Sequence, residues 1–185
     1  QCWNEDYSCG CSGGKQRVHP CLIPNDIDVA NIDDVINAVV VDGQPIGRTI
    51  YEGPGAGKGP TSSAVISDIT SIMLGNDEFS FGLAPSAKKK MGLINFDNHI
   101  SRYYIRFLTK DVSGVLSKIT SALAKNKISI ANLLQTPSKS GAANIMLITH
   151  VSKELNIKKV VRNLSINKKL FKKIVMIRVR DLKKL

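Results

Sequence analysis

Between Arg102 and Lys110 the chain reads RYYIRFLTK, with Tyr103, Ile105 and Phe107 on alternate positions. A period of two puts those three side chains on one face, which predicts a strand. The next stretch, DVSGVLSKITSALAKNK, changes period. Val115, Leu116, Ile119 and Leu123 fall on one helical stripe, and Asp111 or Ser113 is expected as the N-cap. ISIANLLQT reads as a second strand. AANIMLITHV is a third, continuously apolar and therefore expected inside a sheet. SKELNIKKVVRNLS predicts a second amphipathic helix, apolar at Leu155, Val160, Val161 and Leu164. KKIVMIRVR closes the series as a fourth strand.

Strand, helix, strand, strand, helix, strand within about eighty residues is the ferredoxin-like βαββαβ order. Its helices pack on one sheet face and leave the other free for a partner. The predicted class is therefore α/β (α+β), with this module over residues 100–185.

Earlier in the chain, VINAVVVDGQPIGRTIYEG holds two apolar runs, Val35 to Val41 and Ile46 to Tyr51, around Asp42-Gly43. Asp-Gly between apolar runs is a hairpin signal. The second run leads into YEGPGAGKGPTSS, where glycines crowd in front of a new helical pattern. Pro60 suits a first helical turn, with Thr61, Ser62 and Ser63 beside it, and Ala64, Val65, Ile69 and Ile72 or Met73 recur at helical spacing. Strand, glycine loop and helix N-terminus point N–H donors and a positive dipole end at whatever occupies the loop. Residues 75–99 carry Gly, Pro, Asn and a Lys triplet without period, and a linker is expected over 85–99. Residues 1–16 are polar and Gly/Ser-rich and receive no assignment, with disorder as one expectation. That leaves 17–84 as the first structured region.

Counting excludes a triphosphate loop. G-x-x-x-x-G-K-[ST] anchored on Gly57-Lys58 requires glycine at position 52 and a hydroxyl at 59, where the chain has Glu52 and Gly59. The dinucleotide fingerprint G-x-G-x-x-G fits Gly53 and Gly55 and fails at Lys58.

Composition narrows the classes further. The chain has 185 residues, 43% hydrophobic and 22% charged, enough for one well-cored domain or two small ones and unlike a disordered segment. No apolar run approaches the roughly 20 residues of a membrane span, and no secretory signal opens the chain, so the expected compartment is the cytoplasm. Gln1 stands where translation would put Met, so a piece of a longer protein is expected. The net charge is +11, with twelve Lys/Arg after Val151, among them Lys158, Lys159, Lys168 and Lys169. A basic surface attracts polyanions, but these lysines interleave with apolar positions as on the solvated face of a folded element. No nucleic-acid module accompanies them, and neither nucleic acid nor membrane is expected as a partner. Cys2, Cys9, Cys11 and Cys21 are spaced C-x₆-C-x-C-x₉-C, which is not a zinc pair spacing. Reduced thiols and no metal are expected. His19, His99 and His150 have no nucleophile or carboxylate at a spacing that predicts a triad. Asp68, on the helix after the loop, reads as a solvated carboxylate or a site residue.

The residues YYIRFLTKDVSGVLSKITSALAKNKISIANLLQ resemble the opening of an ACT domain, the small regulatory module of amino-acid metabolism. Asp111, Gly114, Val115, Leu116 and Ile128-Ser129-Ile130 match its motif, with Ser113 where the family usually has Pro. Upstream, VHPCLIP, NAVVVDG and GPGAGKGPTSSAVISDI resemble the C-terminal part of homoserine dehydrogenase, in order and at family-like spacing. That resemblance implies NAD(P)-dependent interconversion of L-homoserine and L-aspartate 4-semialdehyde in threonine, methionine and isoleucine biosynthesis. It implies that Gly55, Ala56 and Gly57 line the nicotinamide side and that Pro60 and Thr61 open the following helix. The alternative is that these glycines only permit tight strand-to-helix packing. The family's catalytic Lys, its acidic partner and the residue that separates NAD from NADP lie upstream. The cofactor is thus expected as NAD or NADP, with no catalytic residue in this chain and no activity from the chain alone. The ACT resemblance implies an amino-acid effector such as threonine near Asp111, Val112, Ser113 and Gly114, with a second wall from Ile130 to Leu133 that includes Asn132, in a homo-oligomer. The competing class is a free-standing ACT module that binds an amino acid or dimerises without catalysis.

Overall fold

The structure is a computed structural model that describes residues 3–9, 18–76, 86, 95–138 and 141–180. The chain divides into two units, one of residues 1–24 and 93–184 and the other centred on 25–92.

The first unit holds the βαββαβ module. Ile100–Lys110 (β5), Val115–Lys125 (α2), Ile130–Ser138 (β6), Ala142–Thr149 (β7), Glu154–Ser165 (α3) and Phe171–Val179 (β9) follow in the expected order. The sheet runs β9-β5-β7-β6, so β7 is internal, as its unbroken apolar run predicted. Every ladder in this module is antiparallel. The short strand Ser152–Lys153 (β8) adds to the start of β5. Alternation along β5 sends Tyr103, Ile105 and Phe107 under the helices, where all three are fully buried with Ile119, Ile145, Leu147 and Ile157.

Two details of the helices differ from the pattern. The N-cap of α2 is neither Asp111 nor Ser113 but Gly114, whose φ of 85° is a left-handed conformation that glycine adopts without strain. Leu116 and Leu155 stand at the margins of their stripes, each 37% exposed, while Ala122 and Ile157 take the buried positions. Helical spacing fixes a stripe to within about one position, and the packing decides its edges.

The larger difference lies at the start of the chain. Trp3–Cys9 (β1) is a strand, paired antiparallel with Val18–Pro24 (β2) over its whole length. In turn β2 joins the module's sheet parallel to β9, through Cys21 opposite Arg178 and Leu22 opposite Val179, and the Arg180 N–H donates to the Leu22 carbonyl at 2.9 Å. Residues 1–16 read as unassigned and Val18–Pro24 as part of the first region, yet both strands belong with the C-terminal sheet. WNEDYSC has no clear alternation of its own. Its strand is made by pairing, which local pattern cannot show.

The described part of the 85–99 stretch is also more ordered than a linker. Phe96–Asn98 form a 3₁₀ turn capped by Asn95, whose side chain accepts from the Asp97 N–H at 2.9 Å. The turn is held to α3 by the Glu154 N–H donating to the His99 carbonyl at 2.7 Å and by Lys158 on Asp97 at 2.9 Å. The rest of that stretch, apart from position 86, lies outside the described residues.

The second unit contains Ile36–Gly43 (β3), Gly47–Pro54 (β4) and Lys58–Met73 (α1). The hairpin is present, but its turn is Gln44-Pro45-Ile46, because Asp42 pairs with Arg48 and Gly43 with Gly47. The Asp-Gly pair closes the ladder instead of making the turn. Arg48 Nε donates to Asp42 at 2.8 Å across that last rung. No residue of α1 is buried.

Candidate functional site

The glycine loop joins β4 to α1. The chain leaves the sheet at Pro54, and the Gly55 N–H donates to the Val35 carbonyl at 2.7 Å. Gly57 is the N-cap of α1 with φ 121°, a conformation that side-chain-bearing residues rarely adopt. Its carbonyl accepts the Thr61 N–H at 3.1 Å, the first bond of the helix. Gly55, Ala56, Gly57, Pro60 and Thr61 are thereby brought into one exposed turn at the N-terminus of a 16-residue helix. The first turn of α1 holds no acidic residue and contains Lys58. Unpaired N–H groups, the dipole and a lysine together favour an anion or a carbonyl oxygen there. Asp68 lies farther along the same helix and is exposed.

The glycines of this loop are not equivalent. A Cβ at Gly53 or Gly59 would meet nothing, whereas one at Gly55 would overlap the side-chain amide of Asn37. Asn37 was not singled out in the sequence. Its signal was its register: it stands opposite Gly53 on the hairpin, two residues from Gly55 on the same face.

In the first unit, the residues expected to hold an effector are divided between two places. Asp111, Val112, Ser113 and Gly114 line a hollow of about 230 Å³ between β5 and α2, with Lys110 and Gln135 at its rim. The Asp111 N–H is bonded to the Gly141 carbonyl at 3.1 Å, which ties the loop to the β6–β7 turn. Gly114 closes the hollow with open space where a side chain would project. Asn132 lies elsewhere, on the open sheet face, in a concavity of about 400 Å³ with Tyr104, Arg106, Met146 and Ile148. Ile130 lines neither hollow and packs partly buried against the core. Within one chain, Asn132 is three residues up β6 from Gln135, about 10 Å at the rise of a strand.

The third cluster is structural. Glu154, fully buried at the start of α3, accepts from Tyr103 Oη at 2.7 Å and from Arg178 Nε at 3.1 Å, and Arg178 Nη2 closes the pair. The Arg178 guanidinium also lies 4.6 Å from the Phe96 ring centroid, and His19 meets that ring edge-on at 5.8 Å. A buried carboxylate needs such partners, since alone it would be costly. His19 and His99 both sit against Phe96, and His150 follows β7 with its backbone N–H on the Ser129 carbonyl at 2.9 Å.

Comparison with known proteins returns both resemblances. The homoserine dehydrogenase family profile matches residues 5–70, and the ACT domain profile matches residues 103–166. The first match begins at residue 5 rather than 17, so the likeness reaches into β1. A homoserine dehydrogenase of Helicobacter pylori is 40% identical over 152 residues, covering 80% of this chain and 36% of that protein. One from Neisseria gonorrhoeae is 35% identical over 177 residues, covering 92% and 41%. The crystal structure of a homoserine dehydrogenase from Thiobacillus denitrificans superposes with a TM-score of 0.79 at 30% identity, covering 97% of this chain and 43% of the other. Residues 5–70 thus resemble a segment of homoserine dehydrogenase and residues 103–166 an ACT domain, and the chain spans about two fifths of the length of these relatives.

Proposed function

We propose that this chain is one part of a homoserine dehydrogenase that interconverts L-homoserine and L-aspartate 4-semialdehyde with NAD or NADP, in a homo-oligomer of the cytoplasm. The observation that carries the reading is the order of its pieces: a family-matched strand, glycine loop and helix, then an ACT domain, in one chain.

A nicotinamide cofactor, when bound, supplies or accepts the hydride. The residues here suit one wall of its site. The loop from Gly55 to Gly57 carries no side chain larger than the Ala56 methyl, and the first turn of α1, with Pro60 and Thr61, holds no carboxylate that would repel an anionic dinucleotide. Their task is to bind and orient. A proton must also move at the substrate hydroxyl, which calls for an acid/base group within hydrogen-bond reach. The family resemblance puts that group upstream, in the remainder of the enzyme. The ACT domain supplies the regulatory part. Asp111 to Gly114 offer a backbone-rich hollow of the size of a small amino acid, with threonine the expected effector. Asn132 and Ile130 stand apart from that hollow within one chain. They contribute to the same effector site only as a second wall from another subunit.

NADPH oxidation with aspartate semialdehyde tests the reading. The complete enzyme that carries this chain should turn over, and the 185-residue chain alone should not. Robust turnover by the chain alone would refute the division of labour. A free-standing amino-acid-binding module is the competing reading, favoured by one observation, the closed core of the first unit. Calorimetry on the chain discriminates: threonine binding with a complete enzyme that never oxidises NADPH would favour the module.

A further inference from the structure

The glycines around the loop lack side chains for different reasons. Gly57 needs its backbone conformation, with φ 121°. Gly53 and Gly59 have open space where a side chain would go. Gly55 alone is closed off from within the chain, because the Asn37 amide, through Nδ2 and Cγ, already fills the position its Cβ would take. The two residues meet by register. Asn37 pairs with Gly53 in the β3–β4 ladder, and Gly55 is the diagonal neighbour beyond it. The Gly55 N–H is tied to the Val35 carbonyl at 2.7 Å, so residue 55 is held through its backbone on one side and met by an amide on the other.

We propose that Asn37 is a positioning residue for the glycine loop. Its side chain sets how closely Gly55 approaches the hairpin, and through Gly55 it sets where Ala56 and Gly57 stand at the entrance to α1. Gly55 is glycine to admit Asn37, and the cofactor has no claim on that space. The inference rests on the reading that this loop lines the nicotinamide site. It adds a residue that the sequence motif leaves out and removes one glycine from those whose bareness serves the ligand. A loop displaced by the width of a methyl group matters, since a misplacement of about 1 Å can cost on the order of a hundredfold in rate.

The test is a double-mutant cycle in the complete enzyme that carries this chain, with Asn37→Ala, Gly55→Ala and both together. The readouts are KM for NADPH and kcat, with a thermal midpoint to check folding. We expect G55A to raise KM for NADPH by about tenfold or more with a smaller change in kcat, and N37A to raise it about threefold. The double variant should match N37A, because removing the amide makes room for the new methyl. Penalties that multiply in the double variant would overturn the proposal, for then the cofactor and not Asn37 occupies the space beside Gly55. Where G55A alone fails to fold, the comparison of the double variant with N37A decides in the same way. A wild-type enzyme that never oxidises NADPH overturns the functional reading instead. The contact is then read from the amide resonances of Ala56 and Gly57 in the 185-residue chain. Asn37→Ala must shift both, and unmoved resonances would sink the positioning role.

Discussion

The β5–β9 module and the β3–β4–α1 region both carry apolar side chains at regular spacing and treat them in opposite ways. In the module, Ile105, Phe107 and Ile145 of the sheet and Ile119 and Ile157 of the helices are at most 1% exposed. In α1, Ile66, Ile69 and Ile72 are 63%, 52% and 72% exposed, and on the hairpin Val39 and Tyr51 are 59% and 63% exposed. An apolar pattern specifies a face, and a core needs a second face to meet it. The sheet has two helices laid across it. Among the described residues, β3 pairs with β4, and α1 buries none of its side chains. Burying one such side chain is worth roughly 1.5–3 kcal/mol, and apolar surface left open on that scale marks an interface. The relatives are more than twice the length of this chain.

Core truncation breaks the contrast most directly. Phe107→Ala should destabilise the sheet by about 3–5 kcal/mol, while Ile69→Ala should move stability by no more than about 0.5 kcal/mol. Urea unfolding followed by far-UV circular dichroism reads both. Equal losses would mean that α1 is packed in solution and the contrast is false.

Glu154→Gln probes what pins the module's second helix. The amide keeps the shape but weakens the bonds from Tyr103 and Arg178, and about 1–3 kcal/mol should be lost. A midpoint that does not move would show that α3 is held by Ile157, Val160 and Leu164 alone.

Polar replacement sharpens the comparison from the other side. Ile66→Lys with Ile69→Lys should leave the unfolding midpoint within about 0.5 kcal/mol and reduce concentration-dependent association in sedimentation. Unchanged association would place the sticky surface elsewhere.

The smallest effect belongs to the Asp42–Arg48 pair. Asp42 accepts from Arg48 and pushes that guanidinium further up from an already high range. A raised basic group contributes its stability below its unfolded pKa and loses it only as pH rises through the folded one. Asp42→Asn should therefore give no pH signature between pH 5 and 9, as monitored by thermal unfolding at several pH values. A midpoint shift confined to acid would point to a different partner for Asp42.

Most of the module was legible because its signals are local. The alternation of Tyr103, Ile105 and Phe107 and the stripe of Val115, Ile119 and Leu123 each follow from one element's own geometry. The glycine loop was legible for the same reason, as a strand end, a cluster of glycines and Pro60 in a helical first turn. Pairing between distant segments was not. Nothing in VHPCLIP names β9 as a neighbour about 160 residues on, since a ladder is written in backbone groups that every residue possesses.

The sequence by itself determined the elements of the C-terminal module and of the hairpin, loop and helix before it, their order and the families they resemble, because periodicity, turn chemistry and motif spacing are properties of contiguous residues. Only the tertiary structure decided that β2 belongs to the C-terminal sheet, that Asn132 and the Asp111–Gly114 loop face different hollows, and that the Asn37 amide stands where a Gly55 side chain would go. Each of those depends on the register or the sheet face that two strands share. A shift of one residue along the ladder would turn Asn37 to the other side of the hairpin and leave every local signal unchanged.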